Sequence, residues 1–98
     1  MAFKRTVSTD FAKHLTNLLA KINGDEVEVT FKVISVNFMN DDEESGLFQT
    51  GVKVKISLPD DINDYLFDFE CHISLDGKII KQAEEQYEKE IDRRISEQ

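Results

Sequence analysis

The sequence predicts an α+β domain: a helix, a three-stranded antiparallel meander (strand order 1-2-3) and a second helix, as one domain over residues 1–98. Three observations predict it. Tyr65, Phe67, Phe69, Cys71, Ile73 and Leu75 alternate with Leu66, Asp68, Glu70, His72 and Ser74, the period of a strand with one buried and one wet face. Val52, Val54, Ile56 and Leu58 alternate in the same way with Lys53, Lys55 and Ser57. Phe11, Leu15, Leu18 and Ile22 recur at the spacings of a helix face. Both helices are expected on the apolar face of the sheet.

Residues 1–7 are expected as a flexible basic lead-in. Ser8 or Thr9 suits a helix N-cap, with Asp10 in the first turn. The helix is predicted over Thr9–Ile22, ended by Asn23-Gly24. The first strand, Glu26–Met39, changes phase: Val27, Val29, Phe31 and Val33 are odd, whereas Ile34, Val36 and Phe38 are even. A β-bulge near Lys32-Val33 restores a single apolar face; burial of both faces midway along is the alternative. On the bulge reading Phe38 faces Phe48, Val36 faces Thr50, Ile34 faces Val52, Phe31 faces Val54, Val29 faces Ile56 and Val27 faces Leu58.

Asn40–Gly46 is expected as a mobile acidic loop, Leu47–Leu58 as the central strand and Pro59–Asp64 as the connection to the last. That connection sets Leu58 opposite Tyr65, Val54 opposite Phe69, Lys55 opposite Asp68 and Lys53 opposite Glu70. Opposite charges facing across strands stabilise by roughly 0.2–1 kcal/mol a pair. From about Ile79 the chain reads as helical, with a narrow stripe of Ile80, Ala83, Tyr87, Ile91 and Ile95. This element order also occurs in double-stranded-RNA-binding domains. Those domains grip phosphate with a lysine cluster opening the second helix; here Lys78 and Lys81 are followed by Glu84 and Glu85, so the function does not carry over.

The formal charge is −8, and it is unevenly spread. Residues 25–76 hold thirteen acidic and three basic residues, whereas residues 1–24 hold one acidic and four basic. Direct binding to nucleic acid or to an anionic membrane wants the opposite sign. No apolar run approaches the ~20 residues of a membrane-spanning helix, and no apolar segment follows the basic start. The one cysteine offers no intramolecular disulfide. A cytoplasmic protein of a bacterial or phage accessory type is the expectation.

Catalytic, cofactor and metal sites are not predicted. Cys71 and His72 are adjacent on a strand and point to opposite faces. Cys71 reads as core, and His72 and His14 as surface residues. Asn40, Asp42 and Glu44, and the crowded Asp60, Asp61, Asn63 and Asp64, lack the glycine and glutamate of a calcium loop. Surfaces remain. Lys53, Lys55, Asp68, Glu70 and His72 share the wet face and are the candidate partner-binding residues. Tyr87, Ile91 and Ile95 are the candidate self-association residues. The expected function is a small, non-enzymatic protein-interaction module, homo-oligomeric, with a partner of basic surface. The alternatives are an inhibitor whose acidic face imitates nucleic-acid phosphate, and a holdase-type chaperone or assembly factor.

Overall fold

A computed structural model describes residues 2–16, 18, 20–42, 46–59 and 61–97, with the side chains of 40–42 excepted. The class is α+β, with two helices packed on one antiparallel sheet. The elements are β1 (Ala2–Ser8), α1 (Thr9–Leu15), β2 (Glu26–Asp42), β3 (Leu47–Ser57), β4 (Tyr65–Ser74) and α2 (Ile79–Ser96). The sheet has four strands in the order β1-β2-β3-β4, not three. The added strand is the segment that the sequence suggested only as a lead-in. Phe3 and Val7 turn inward and are buried. Arg5 stands between them on the same face and reaches α2, and this inward charge hid the alternation.

Helix α1 starts as expected, with the Ser8 hydroxyl accepting from Phe11 N at 3.2 Å. It stops at Leu15 instead of Ile22. The Thr16 hydroxyl bonds back to the carbonyls of Lys13 and Ala12, and Leu18 takes a left-handed φ of 64°. That turn ends the helix earlier than the Asn23-Gly24 signal predicted. Gly24, at φ 92°, instead leads into β2, where the Thr9 hydroxyl donates to its carbonyl at 2.6 Å. Asn17 and Leu19 of the predicted helix lie outside the described residues.

Strand β2 carries its extra residue at Ile34, between the pairs Val33–Val54 and Ser35–Lys53. A bulge therefore falls in the stretch where the sequence changes phase. Its partners differ from those expected: Phe31 faces Ile56, Val36 faces Val52 and Phe38 faces Thr50. Ile34, expected inside, is 45% exposed. A second register shift falls between Phe38 and Asn40. The pairing of β2 with β3 continues to Asp42 and Leu47, through part of the expected acidic loop; Glu43, Glu44 and Ser45 lie outside the described residues.

The hairpin register is also corrected. Val54 faces Phe67, not Phe69, and Lys53, not Lys55, faces Asp68. The slip is two residues, which leaves every side chain on its predicted face, because a period of two fixes register only by parity. The connection absorbs the difference. Ile56 is the last β3 residue paired with β4, opposite Tyr65, and Leu58 leaves the strand and is buried.

The core lies between the sheet and α2. The Tyr87 ring sits at its centre, with centroids 5.3–6.1 Å from Phe3, Phe31, Phe67 and Phe69. Ala83, Tyr87 and Ile91 form the buried face of α2, with Glu84 beside them. Arg93 and Arg94 stand in the last turn, where positive charge suits the helix dipole. Glu90 takes both, with Arg94 Nε at 3.0 Å.

Candidate functional site

Helices cover one face of the sheet, and the other is open. Outward positions of neighbouring strands form rows across it. Ala2, Lys32, Lys55 and Leu66 make one row; Ser35, Lys53 and Asp68 the next; then Asn37, Gly51 and Glu70; then Gln49 and His72. All five sequence-predicted contact residues, Lys53, Lys55, Asp68, Glu70 and His72, lie on this one face. His72 stands across from Gln49 and not beside Gly51 as the predicted register had it. Its carbonyl accepts from Gln86 Nε2 at 2.6 Å, which ties β4 to α2 beneath the face.

Lys32 faces Lys55 directly, a like-charge pair that costs stability. A carboxylate stands beside Lys55 and another beside Lys4. Lys55 Nζ is 3.9 Å from Asp64, and Lys4 Nζ is 3.8 Å from Glu28. Lys32 and Lys53 make no salt bridge among the described residues. The face carries no aromatic side chain, since all the strand aromatics turn inward or sit at the distal end.

The predicted self-association residues are elsewhere. Tyr87 and Ile91 are wholly buried against the sheet, and Ile95 is packed against the same core. Tyr87 and Ile91 hold α2 down and present no free face, and Ile95 is half-buried. The narrowness of the stripe misled the sequence reading, because one tyrosine inserted among four phenylalanines replaces several aliphatic residues.

A cavity of about 360 Å³ opens at the end of the sheet where β2 begins, and nothing in the residue pattern signals it. The predicted pair Val27–Leu58 would have closed this place. Instead β3 ends at Ser57 opposite Thr30. Residues 26–29 of β2 thus have β1 on one side and no strand on the other. Ile22, Val27, Leu58 and Pro59 supply apolar walls; Glu26, Glu28 and Asp61 supply carboxylates. The Tyr65 hydroxyl donates to Asp61 Oδ2 at 2.6 Å, and Asn63 N to Oδ1 at 2.9 Å. These bonds hold the Asp61 carboxyl below the usual carboxylate range.

Cys71 is buried, and burial raises its thiol pKa against the opposing contact with Thr50. Thr50 Oγ1 donates to the Cys71 carbonyl at 2.9 Å. His14 is exposed and bonds the Asp10 carbonyl through Nδ1. Among the described residues no three His, Cys, Asp or Glu side chains gather as a metal site, and no helix is long and apolar enough to cross a membrane. Of the acidic clusters weighed as calcium loops, Glu44 and Asp60 lie outside the described residues, as do the side chains of Asn40 and Asp42. Comparison with protein-family models, with curated proteins and with solved structures found no match.

Proposed function

We propose that the protein is a non-enzymatic binding module that receives a protein partner of basic surface on the open face of its sheet. The single observation that carries this is the one-sided cover: every helix lies on one face, and the other is bare and charged. Carboxylates at its margins, Glu28, Asp64, Asp68 and Glu70, meet basic groups of the partner, while Lys53 and Lys55 fix its orientation. Like-charge juxtaposition at those lysines rejects misplaced basic partners. An imitation of nucleic-acid phosphate is the weaker reading, because lysines interrupt the acidic surface at its centre. Self-association through Tyr87, Ile91 and Ile95 is not proposed, since these residues build the core.

A second reading, as a holdase or assembly factor, draws on Phe38, Met39 and Leu47. These are exposed on the distal part of the β2–β3 pair, where a client's apolar segment would contact them.

The test is kinetic. A partner recovered from the native host is mixed with the protein across a salt series. Electrostatic steering is worth roughly 10–10³-fold in association rate and fades with screening. Association is expected to slow as salt rises, and to slow at low salt when Asp68→Asn and Glu70→Gln are combined. A partner that binds equally fast at about 50 and about 500 mM salt, and ignores the double substitution, removes the proposal.

A further inference from the structure

We infer that the cavity between the start of β2 and the β3–β4 connection is a receptor for one arginine side chain of the basic partner. This rests on the partner being basic, as proposed above, and adds a second, more specific contact at the edge of the same face.

Three features of the place fit a guanidinium on an aliphatic stem. The volume, about 360 Å³, is at the small end of ligand pockets. Part of its mixed lining, Val27, Leu58, Ile22 and Pro59, is apolar surface on which the methylenes of an arginine lie while the charged head meets the polar part. Acceptors stand at the mouth on two different elements, Glu26 on β2 and Asp61 on the connection. Asp61 is already held anionic by Tyr65 and Asn63.

The cavity is more than a group of acids. It exists because β2 runs past the end of β3 by four residues, so backbone groups on that side of residues 26–29 meet no strand. Carboxylates from two elements match the planar fork of arginine, which donates along several fixed directions. A lysine ammonium is a compact, strongly hydrated point charge and gains less there. Lys21 stands at the rim and makes no ion pair among the described residues, so it does not occupy the acceptors. Glu28 is engaged by Lys4 and plays the lesser part.

The experiment uses the full chain, labelled for amide NMR, and the blocked tripeptide acetyl-Gly-Arg-Gly-amide. Saturable shifts are expected at Ile22, Val27, Leu58 and Asp61. The matching citrulline tripeptide, which has the same shape without the charge, is expected to give none, and the lysine tripeptide to bind at least about threefold more weakly. Asp61→Asn with Glu26→Gln is expected to weaken the arginine tripeptide by about fivefold or more. The amide that replaces the Asp61 carboxylate keeps one oxygen, which accepts from Tyr65 or from Asn63 N but not both, and a native amide spectrum confirms that the fold survives. Shifts spread evenly over the acidic surface, shifts equal with citrulline, or no shifts at all overturn the arginine receptor. The Asp68→Asn, Glu70→Gln protein separates the two proposals. It is expected to bind the tripeptide like the wild type; a protein partner indifferent to those substitutions sinks the sheet-face reading and leaves the cavity standing.

Discussion

Arg5 Nε donates to Asp92 Oδ1 at 2.8 Å, joining the first strand to the last helix across 87 positions of sequence. Arg5 Nη2 reaches Asp92 Oδ2 at 3.2 Å and also bonds Glu88. The guanidinium lies 5.3 Å from the centre of the Phe3 ring. Arg5→Ala is expected to cost about 1–2 kcal/mol, the exposed side of the pair being discounted for screening. Arg5→Lys recovers only part, because it loses the fork. Urea melts of the three proteins check the order.

The same pair predicts an acid dependence. Arg5 holds the Asp92 carboxyl below its ordinary value. A depressed folded pKa contributes stability above the unfolded value and loses it as pH falls through the folded one. The difference in urea midpoint between wild type and Arg5→Ala is therefore full near neutrality and shrinks in acid below the ordinary carboxylate range. A difference that stays constant into strong acid contradicts this.

Tyr87 and Ile91 are expected to behave as core residues. Tyr87→Ala costs about 3–5 kcal/mol. Tyr87→Phe costs little, since Oη makes no hydrogen bond to a described protein group. Ile91→Glu places a charge where no side-chain surface is exposed and is expected to abolish the cooperative melt. A folded, soluble Ile91→Glu protein would return that residue to the surface.

Ile34 is the inserted residue of the bulge, so the pairs on either side do not depend on it. Ile34→Thr is expected to change stability by less than about 1 kcal/mol. Deleting Ile34 joins Val33 to Ser35, which leaves the pairs Val33–Val54, Ser35–Lys53 and Val36–Val52 in place and makes the ladder regular. The deletion is therefore expected to fold with stability within about 1 kcal/mol of the wild type. Circular dichroism and urea melts of the two proteins check this; loss of the cooperative melt on deleting Ile34 excludes the bulge.

Cys71 is expected to react slowly with a thiol reagent in the folded protein and quickly in denaturant, because burial hides it and disfavours the thiolate. Equal rates in the two conditions would show that β4 opens freely at that point.

Faces were legible in the sequence, and partners were not. Every alternating residue from Val52 to Ile56 and from Tyr65 to Ile73 lies on its predicted side. Both registers nevertheless slipped by two, an error to which alternation is blind. The cavity follows from that slip, so it was invisible for the same reason. Strand β1 escaped notice because its middle inward residue is Arg5, whose partners Glu88 and Asp92 are on the far side of the chain. The early end of α1 depends on the Thr16 hydroxyl and on the backbone turn at Leu18, which carry no periodic signal. The five contact candidates were found together because a strand face needs only parity.

The placement of Tyr87 also sets an order of events during synthesis. Phe3, Phe31, Phe67 and Phe69 have all been made by the time β4 leaves the ribosome, but the ring that gathers them arrives only with α2. In that interval the nascent chain holds a sheet with one unsheltered greasy side, the condition in which association between chains competes with folding. A chaperone that shields nascent chains would act here in the window between Phe69 and Ile91, and a ribosome stalled within it would hold a protein unable to close.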